Sequence, residues 1–537
     1  MARERLYIFD TTLRDGNQTQ GVDFSVEDKR IIAEALDELG VDYIEGGWPG
    51  ANPTDTAFFE DRPKLNNAKF TSFGMTRRAG RSAANDPGLV AVIDADVDAV
   101  CLFGKTWDFQ VEVALGIELP EAVELIGDSV AAAVERRGEA VFDAEHFFDG
   151  YKSNPEFALN CLRAAYEAGA RWVVLCDTNG GTLPHEVTRI VEEVTQHIPG
   201  DHLGIHTHND TENAVANTLA AINAGARHIQ GTLNGLGERC GNANLISLIA
   251  TIMLKPEFSE RFETGIPAEN VRQLTHVSRL LDELLNKAPD NHAAYVGPAA
   301  YAHKGGVHGS AVLKDPRTYE HVPPETTGNK RTVLISDQAG KANVLMRLND
   351  LGIDVESTDA RIMKLVEEVK EREYLGYTYD GAEASFELMA RRALGEVPEY
   401  FDVESFRVMV ERRHNAKGDL VTVSEATVKV TVDGESLMSA GEGNGPVNAL
   451  DEALRKDLGK FSKYIEDVQL TDFKVRILTH EGTDAVTRVM VESIDGQGHR
   501  WSTVGVSPNI VDASFQALLD SIVYKLYRDG APAGSNG

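Results

Sequence analysis

Cysteine, long apolar runs and positive charge are all scarce in this chain of 537 residues. The four cysteines, Cys101, Cys161, Cys176 and Cys240, are isolated and form no CxxC pair. Isolated cysteines of this kind, several within apolar runs, point to reduced cytosolic thiols. No stretch approaches the roughly 18 consecutive apolar residues that a membrane helix needs, and the opening MARERLYIFD has no apolar signal core. We therefore expect a cytoplasmic protein with no membrane contact. Lysine and arginine number 53 against 84 acidic residues, a formal charge of -31. Such a surface repels nucleic acid and anionic membranes on average, so neither is expected as a partner, and an anionic substrate needs local basic groups.

What the chain does have is alternation. Eight strand-like apolar runs lie between residues 6 and 253: Leu6 to Thr12, Tyr43 to Gly47, Phe70 to Gly74, Ala99 to Gly104, Ala140 to Ala144, Trp172 to Asp177, Leu203 to His208 and His228 to Leu233. Segments of 3.6-residue periodicity separate them, such as Val26 to Leu39, Pro155 to Ala168, Pro184 to His197 and Ala214 to Ala224. Several of these end in glycine, which suits helix termination before the next strand. Eight such units in about 250 residues match a closed (β/α)8 TIM barrel better than an open doubly wound sheet.

In a barrel of this kind, active sites gather at the C-terminal ends of the strands. Polar groups sit at those places here. Arg14 and Asp15 follow the first strand, Glu145 the fifth, and Thr178 the sixth; His206 and His208 end the seventh, and the loop NGLGERCGN after the eighth carries Asn242. Side chains two apart on a strand face the same way, so the imidazoles of HTHND can share one metal ion, with Asp15 as a carboxylate from another strand end.

Seven strings, DTTLRDGNQ, FDAEHFFDG, LCDTNGG, HTHND, GLGERCGNANL, HKGGVHGSAV and SDQAGKANV, spread over roughly residues 8 to 345. Together they resemble the metal-dependent family that condenses 2-oxo acids with acetyl-CoA, which includes the isopropylmalate, homocitrate and citramalate synthases. The segments IEGGWPGANPTD and TSFGMTRR are most similar to the longer, pyruvate-using branch. The resemblance implies that Asp15, His206, His208 and Asn242 hold a divalent ion, with Zn, Mn, Co and Mg all compatible with mixed oxygen and nitrogen donors. It implies that Arg14 stabilises charge on the ketone oxygen, that Thr178 binds the 2-oxo acid carboxylate, and that Glu145, His308 and Tyr319 serve the acetyl-CoA half-reaction. Either Glu145 or His308 would remove the methyl proton. Arg77, Arg78 and Arg81 are candidates for the CoA phosphates, and a solvated basic turn is the alternative for them. Phe73 and Leu102 are expected to limit the 2-oxo acid pocket to a methyl.

The barrel is expected over residues 1–280, helical linker subdomains over 281–395, and an α+β regulatory domain over 396–530. That last region duplicates itself: TVKVTVDGESLMSAGEGNGPVNALDEAL is echoed by RVMVESIDGQGHRWSTVGVSPNIVDASFQALLDSI, with Ala449 matching Ala513 and Ala453 matching Ala517. By resemblance this is an allosteric domain that binds an end-product amino acid, isoleucine, in a homodimer, and the GEGNG loop from Gly441 to Gly445 is a candidate carboxylate cradle. The competing readings are 2-isopropylmalate synthesis from 2-oxoisovalerate, a metal-dependent acyl-CoA lyase, and a silent amino-acid sensor. The GLGERCGN loop and the duplicated domain favour synthesis over cleavage, and a sensor has little reason to keep Arg14, Asp15, Glu145, His206 and His208 together.

Overall fold

The computed structural model describes residues 3–333, 340–414, 416–456, 458–478 and 485–534. It divides into two compact units, residues 1–301 with 322–331, and residues 302–321 with 332–537.

The first unit is built on eight parallel strands that close into a barrel: β1 (Tyr7–Asp10), β2 (Tyr43–Gly47), β3 (Lys69–Met75), β4 (Ala99–Lys105), β5 (Ala140–Glu145), β6 (Trp172–Asp177), β7 (Leu203–Thr207) and β8 (His228–Gly231), with β8 pairing back to β1. Each is one of the eight expected runs, within two residues at either end. The helices also sit where the periodicity places them, among them Val26–Leu39, Pro155–Glu167, Pro184–Val194 and Ala214–Ala224. The first of these is started by a Ser25 and Asp28 capping box, in which each side chain accepts from the other residue's backbone N–H.

Alternation along each strand sorts the core into two parts. Outward residues such as Phe70, Leu102, Phe142, Val173 and Ile205 pack under the helices. Inward residues Phe9, Tyr43, Phe73, Cys101, Val141, Trp172, Val174 and Cys176 fill the barrel interior. Leu102 therefore faces the helical layer and does not line a substrate pocket; its neighbour Phe103 takes the inward register. His228 also lies in the interior, its ring 5.0 Å from Trp172, 5.2 Å from Phe9 and 5.7 Å from Tyr43. Neither of its ring nitrogens has a hydrogen-bond partner.

Between Leu284 and Ala302 the chain is irregular against the mostly helical pattern of its sequence, and Pro289, Gly297 and Pro298 account for the break. In the second unit, helices Lys341–Asp350, Ala360–Tyr374 and Glu383–Leu394 share one apolar cluster. Part of the string SDQAGKANV lies outside the described residues.

The C-terminal duplication is present as two antiparallel three-stranded sheets, each backed by a helix. Strands β9 (Asp402–His414), β10 (Leu420–Val432) and β11 (Glu435–Gly443) precede helix Pro446–Lys456, and strands β12 (Gln469–Ile477), β13 (Thr487–Ile494) and β14 (Arg500–Ser507) precede helix Ile510–Arg528. Each repeat thus has one strand more than its sequence echo suggested. The matched positions do matching work. Ser439 donates to the Ala453 carbonyl at 2.5 Å and Thr503 to the Ala517 carbonyl at 2.7 Å. A Cβ on Gly441 or on Gly505 would stand within 2.5 Å or less of the facing helix backbone. Gly441 and Gly443 are therefore strand residues that let a helix pack closely, and only Asn444 and Gly445 remain as loop.

Candidate metal centre and cleft

At the C-terminal rim of the barrel, the turn after β1 folds back so that the N–H groups of Arg14, Asp15 and Gly16 all approach the Thr11 carbonyl. This turn delivers Arg14 and Asp15 side by side. Arg14 is fixed on three sides: Nε donates to Glu45 Oε2 at 2.7 Å, Nη1 donates to Asp15 Oδ2 at 3.1 Å, and the guanidinium lies 3.8 Å from the centre of the Phe73 ring. Glu45, fully buried on β2, also accepts from Thr11 Oγ1 at 2.5 Å. Nη2 of Arg14 donates to no protein atom among the described residues. Sequence reasoning missed Glu45; an acid between apolar strand residues was its only signal.

His206 and His208 turn the same way from the end of β7, as the strand period requires, with their Nε2 atoms 3.3 Å apart. Asp15 Oδ2 stands 3.4 Å from His206 Nε2 and 4.0 Å from His208 Nε2. These three buried residues are the group of His, Cys, Asp and Glu side chains, among the described residues, whose donor atoms converge closely enough to hold a metal ion. Asn242 joins them through a bridge with His208, its carboxamide nitrogen 3.3 Å from His206 Nε2. The two ends of a carboxamide have the same shape, so a half-turn puts the oxygen at that position. Gly237, at φ +154, gives Asn242 its room: a Cβ there would lie 2.1 Å from Asn242 Oδ1.

Two oxygens of this cluster, Asp15 Oδ1 and Asn242 Oδ1, are buried without a hydrogen-bond partner. Buried orphan acceptors are costly, and a divalent cation at this cluster, with the Asn242 carboxamide turned to present its oxygen, would offset part of that cost. Burial pushes the Asp15 carboxyl upward, but the Arg14 guanidinium beside it holds it well below the usual carboxylate range. It is a carboxylate throughout neutral pH. Burial, aided by the neighbouring His206, pushes His208 down to about 3, so its imidazole is neutral and able to ligate.

The cleft over this cluster encloses about 370 Å³, and its wall includes Arg14, Asp15, Glu145, Thr178, His206 and His208. Its apolar side is aromatic. Phe73 and Phe103 stack at 5.2 Å, and Trp48 meets their edges at 5.9 and 5.7 Å. Thr178 Oγ1 accepts from the His146 N–H at 2.8 Å, which leaves the hydroxyl hydrogen to point elsewhere. Glu145 ends β5 and pairs with Lys105, its partner in register on β4.

His308 and Tyr319 belong to the second unit, where their rings lie 4.2 Å apart. Arg77 is not available to CoA phosphates: it is buried, donates to Asp128 at 2.6 Å and Glu124 at 3.1 Å, and caps the Arg81 carbonyl. Arg78 and Arg81 are exposed.

A family model described as HMGL-like matches residues 5–280, just over half of the chain. The chain belongs to the HMGL-like family. Two further models match the rest, a homocitrate synthase post-HMGL domain over residues 295–374 and a LeuA allosteric (dimerisation) domain over residues 380–526. The (R)-citramalate synthase of Geobacter sulfurreducens is 51% identical over 98% of this chain and 99% of its own length. That of Aquifex aeolicus is 49% identical over 98% of both. The 2-isopropylmalate synthase of Methanocaldococcus jannaschii is 30% identical over 97% of this chain and 94% of its own. The three matched models agree with the barrel and the C-terminal domains described above. No helix among the described residues is long and apolar enough to cross a membrane.

Proposed function

We propose that this chain joins the methyl carbon of acetyl-CoA to the ketone carbon of pyruvate and hydrolyses the thioester, giving (R)-citramalate and CoA. The observation that carries the reading is the cluster Asp15, His206 and His208 beside a fixed arginine, in a chain similar along its whole length to (R)-citramalate synthases. Asp15, His206, His208 and Asn242 would hold the divalent ion, whose identity among Zn, Mn, Co and Mg the donor set leaves open. When bound, such an ion supplies Lewis acidity to the ketone oxygen.

The protein's own groups do the rest. Arg14, held by Glu45 and Phe73, directs its uncommitted Nη2 toward charge that develops on the ketone oxygen. Thr178 donates its hydroxyl hydrogen to the pyruvate carboxylate. Glu145 or His308 takes the methyl proton of acetyl-CoA, with Tyr319 beside His308 in that half-reaction. Release of CoA by water then makes the step effectively irreversible. The wall of Trp48, Phe73 and Phe103 leaves room for a methyl and opposes larger 2-oxo acids.

We assign the barrel to residues 1–280, linker subdomains to 281–395 and an allosteric, dimerising domain to 396–530, with isoleucine as feedback inhibitor of a cytoplasmic homodimer. The second reading is 2-isopropylmalate synthesis, supported by archaeal enzymes of that name that match along nearly all of the chain. An assay of CoA release from acetyl-CoA with pyruvate, 2-oxoisovalerate and 2-oxoglutarate in turn decides between them. Preference for pyruvate is expected; preference for 2-oxoisovalerate would replace the substrate and leave the chemistry intact.

A further inference from the structure

One buried polar side chain beside the histidine pair takes no part in the chemistry above. Gln230, on β8, is completely buried, and Asp143, on β5, is nearly so. The Gln230 carboxamide bridges two groups across the barrel interior. Its Nε2 donates to Asp143 Oδ1 at 2.9 Å, and its Oε1 lies 2.8 Å from His206 Nδ1.

The polarity of this row follows from its far end. An ionised carboxylate can only accept, so the amide end of Gln230 must face Asp143 and the carbonyl end must face His206. A carbonyl oxygen can only accept as well, so His206 Nδ1 must carry the hydrogen. The imidazole then has its lone pair on Nε2, and Nε2 is the atom that stands 3.3 Å from His208 Nε2 and 3.4 Å from Asp15 Oδ2. A neutral imidazole left to itself divides between two tautomers, and only one of them can ligate through Nε2. Here three strands, β5, β8 and β7, hand one constraint to the next.

We propose that Asp143 and Gln230 are positioning residues that act through one another to hold His206 as its Nδ1–H tautomer, with the Nε2 lone pair turned toward Asp15 and His208. The inference rests on the metal site proposed above. It differs from a packing role in one respect: what matters is the direction of the hydrogen bonds, and shape alone is not sufficient. Asp143→Asn keeps the shape but removes the fixed direction. The two amides can then pair either way round, and one way presents an N–H to His206 Nδ1 and moves the proton onto Nε2. Combining Asp143→Asn with Gln230→Glu fixes the direction again, because the new carboxylate accepts from His206 Nδ1 and from the new amide together.

The test is Mn²⁺ binding to the full chain, measured by titration calorimetry in the absence of substrates, with thermal melting of the metal-free protein as the control for folding. Outer partners of ligating histidines are worth about 10–100-fold in metal affinity, so Gln230→Leu is expected to weaken Mn²⁺ binding by that factor. Asp143→Asn is expected to weaken it less, and the double variant to bind more tightly than Asp143→Asn alone. The relay is overturned if Gln230→Leu binds Mn²⁺ as tightly as the parent, or if the double variant binds no better than Asp143→Asn. Should Gln230→Leu fail to fold, the comparison of Asp143→Asn with the double variant decides alone. Failure of the parent itself to bind Mn²⁺ or Zn²⁺ would overturn the metal site, and the relay with it.

Discussion

His228 gives the barrel an acid sensitivity whose size follows from its surroundings. Burial among Trp172, Phe9 and Tyr43, and secondarily the nearby Arg171, push this imidazole down to about 3. In the unfolded chain the same group titrates near 6.5. As pH falls through that value, the unfolded state takes up a proton that the folded state refuses, so stability is lost on acidification and goes on being lost until about pH 3. The slope is about 1.4 kcal/mol per pH unit, and integration from pH 7 to pH 5 comes to about 2 kcal/mol. Other buried groups act in the opposite sense. Burial raises Asp10 to about 7 and Asp42 and Asp143 to about 6, so these regain stability as pH falls from 7 toward 4. Only a comparison with a variant isolates the histidine. His228→Phe keeps a ring in the aromatic stack and forfeits no hydrogen bond, since both ring nitrogens lack partners. Urea unfolding of the barrel, followed by tryptophan fluorescence in a Trp501→Phe background, should show the parent losing about 2 kcal/mol more than the variant between pH 7 and pH 5. Equal losses in the two proteins would refute a neutral, desolvated His228.

Arg14→Met should lower kcat by about 10²–10³-fold with a smaller effect on the pyruvate KM, because the group acts on charge that develops in the transition state; steady-state CoA release checks this. Phe103→Ala should raise kcat/KM for 2-oxoisovalerate relative to pyruvate, by an amount equivalent to about 1–3 kcal/mol for each methylene admitted, read from competing-substrate assays. Glu45→Gln removes the charge that anchors Arg14 Nε and should depress turnover while Mn²⁺ affinity stays near that of the parent. Removing residues after about 400 should abolish inhibition by isoleucine; persistent inhibition of the truncated, still folded enzyme would remove the regulatory role from that domain.

The parts of this protein that repeat locally were legible without coordinates. Strand and helix periods mark every barrel strand because each buries one face or both against a fixed neighbour, and the HTHND pair declares itself because two residues on one strand share a face. The same local logic exposes the C-terminal echo, but not its outer strands Asp402–His414 and Gln469–Ile477, which lie before the echoed segments and whose residues are largely exposed, so that no buried face marks them. Register escaped the sequence by a single position at β4, where Phe103 and not Leu102 looks inward, since a closed barrel buries both faces of a strand and so hides which residue faces the axis. The commitments of individual charges escaped it altogether. Arg77 is paired with Asp128, more than fifty positions along; Glu45 grips Arg14 from the next strand; Gln230 reaches Asp143 across the barrel. Sequence thus determined which elements form and which donors stand at one rim, because those depend on neighbours within a few residues. Tertiary structure alone decided which side chains are free to act, because a hydrogen bond between distant strands exists only once the barrel has closed.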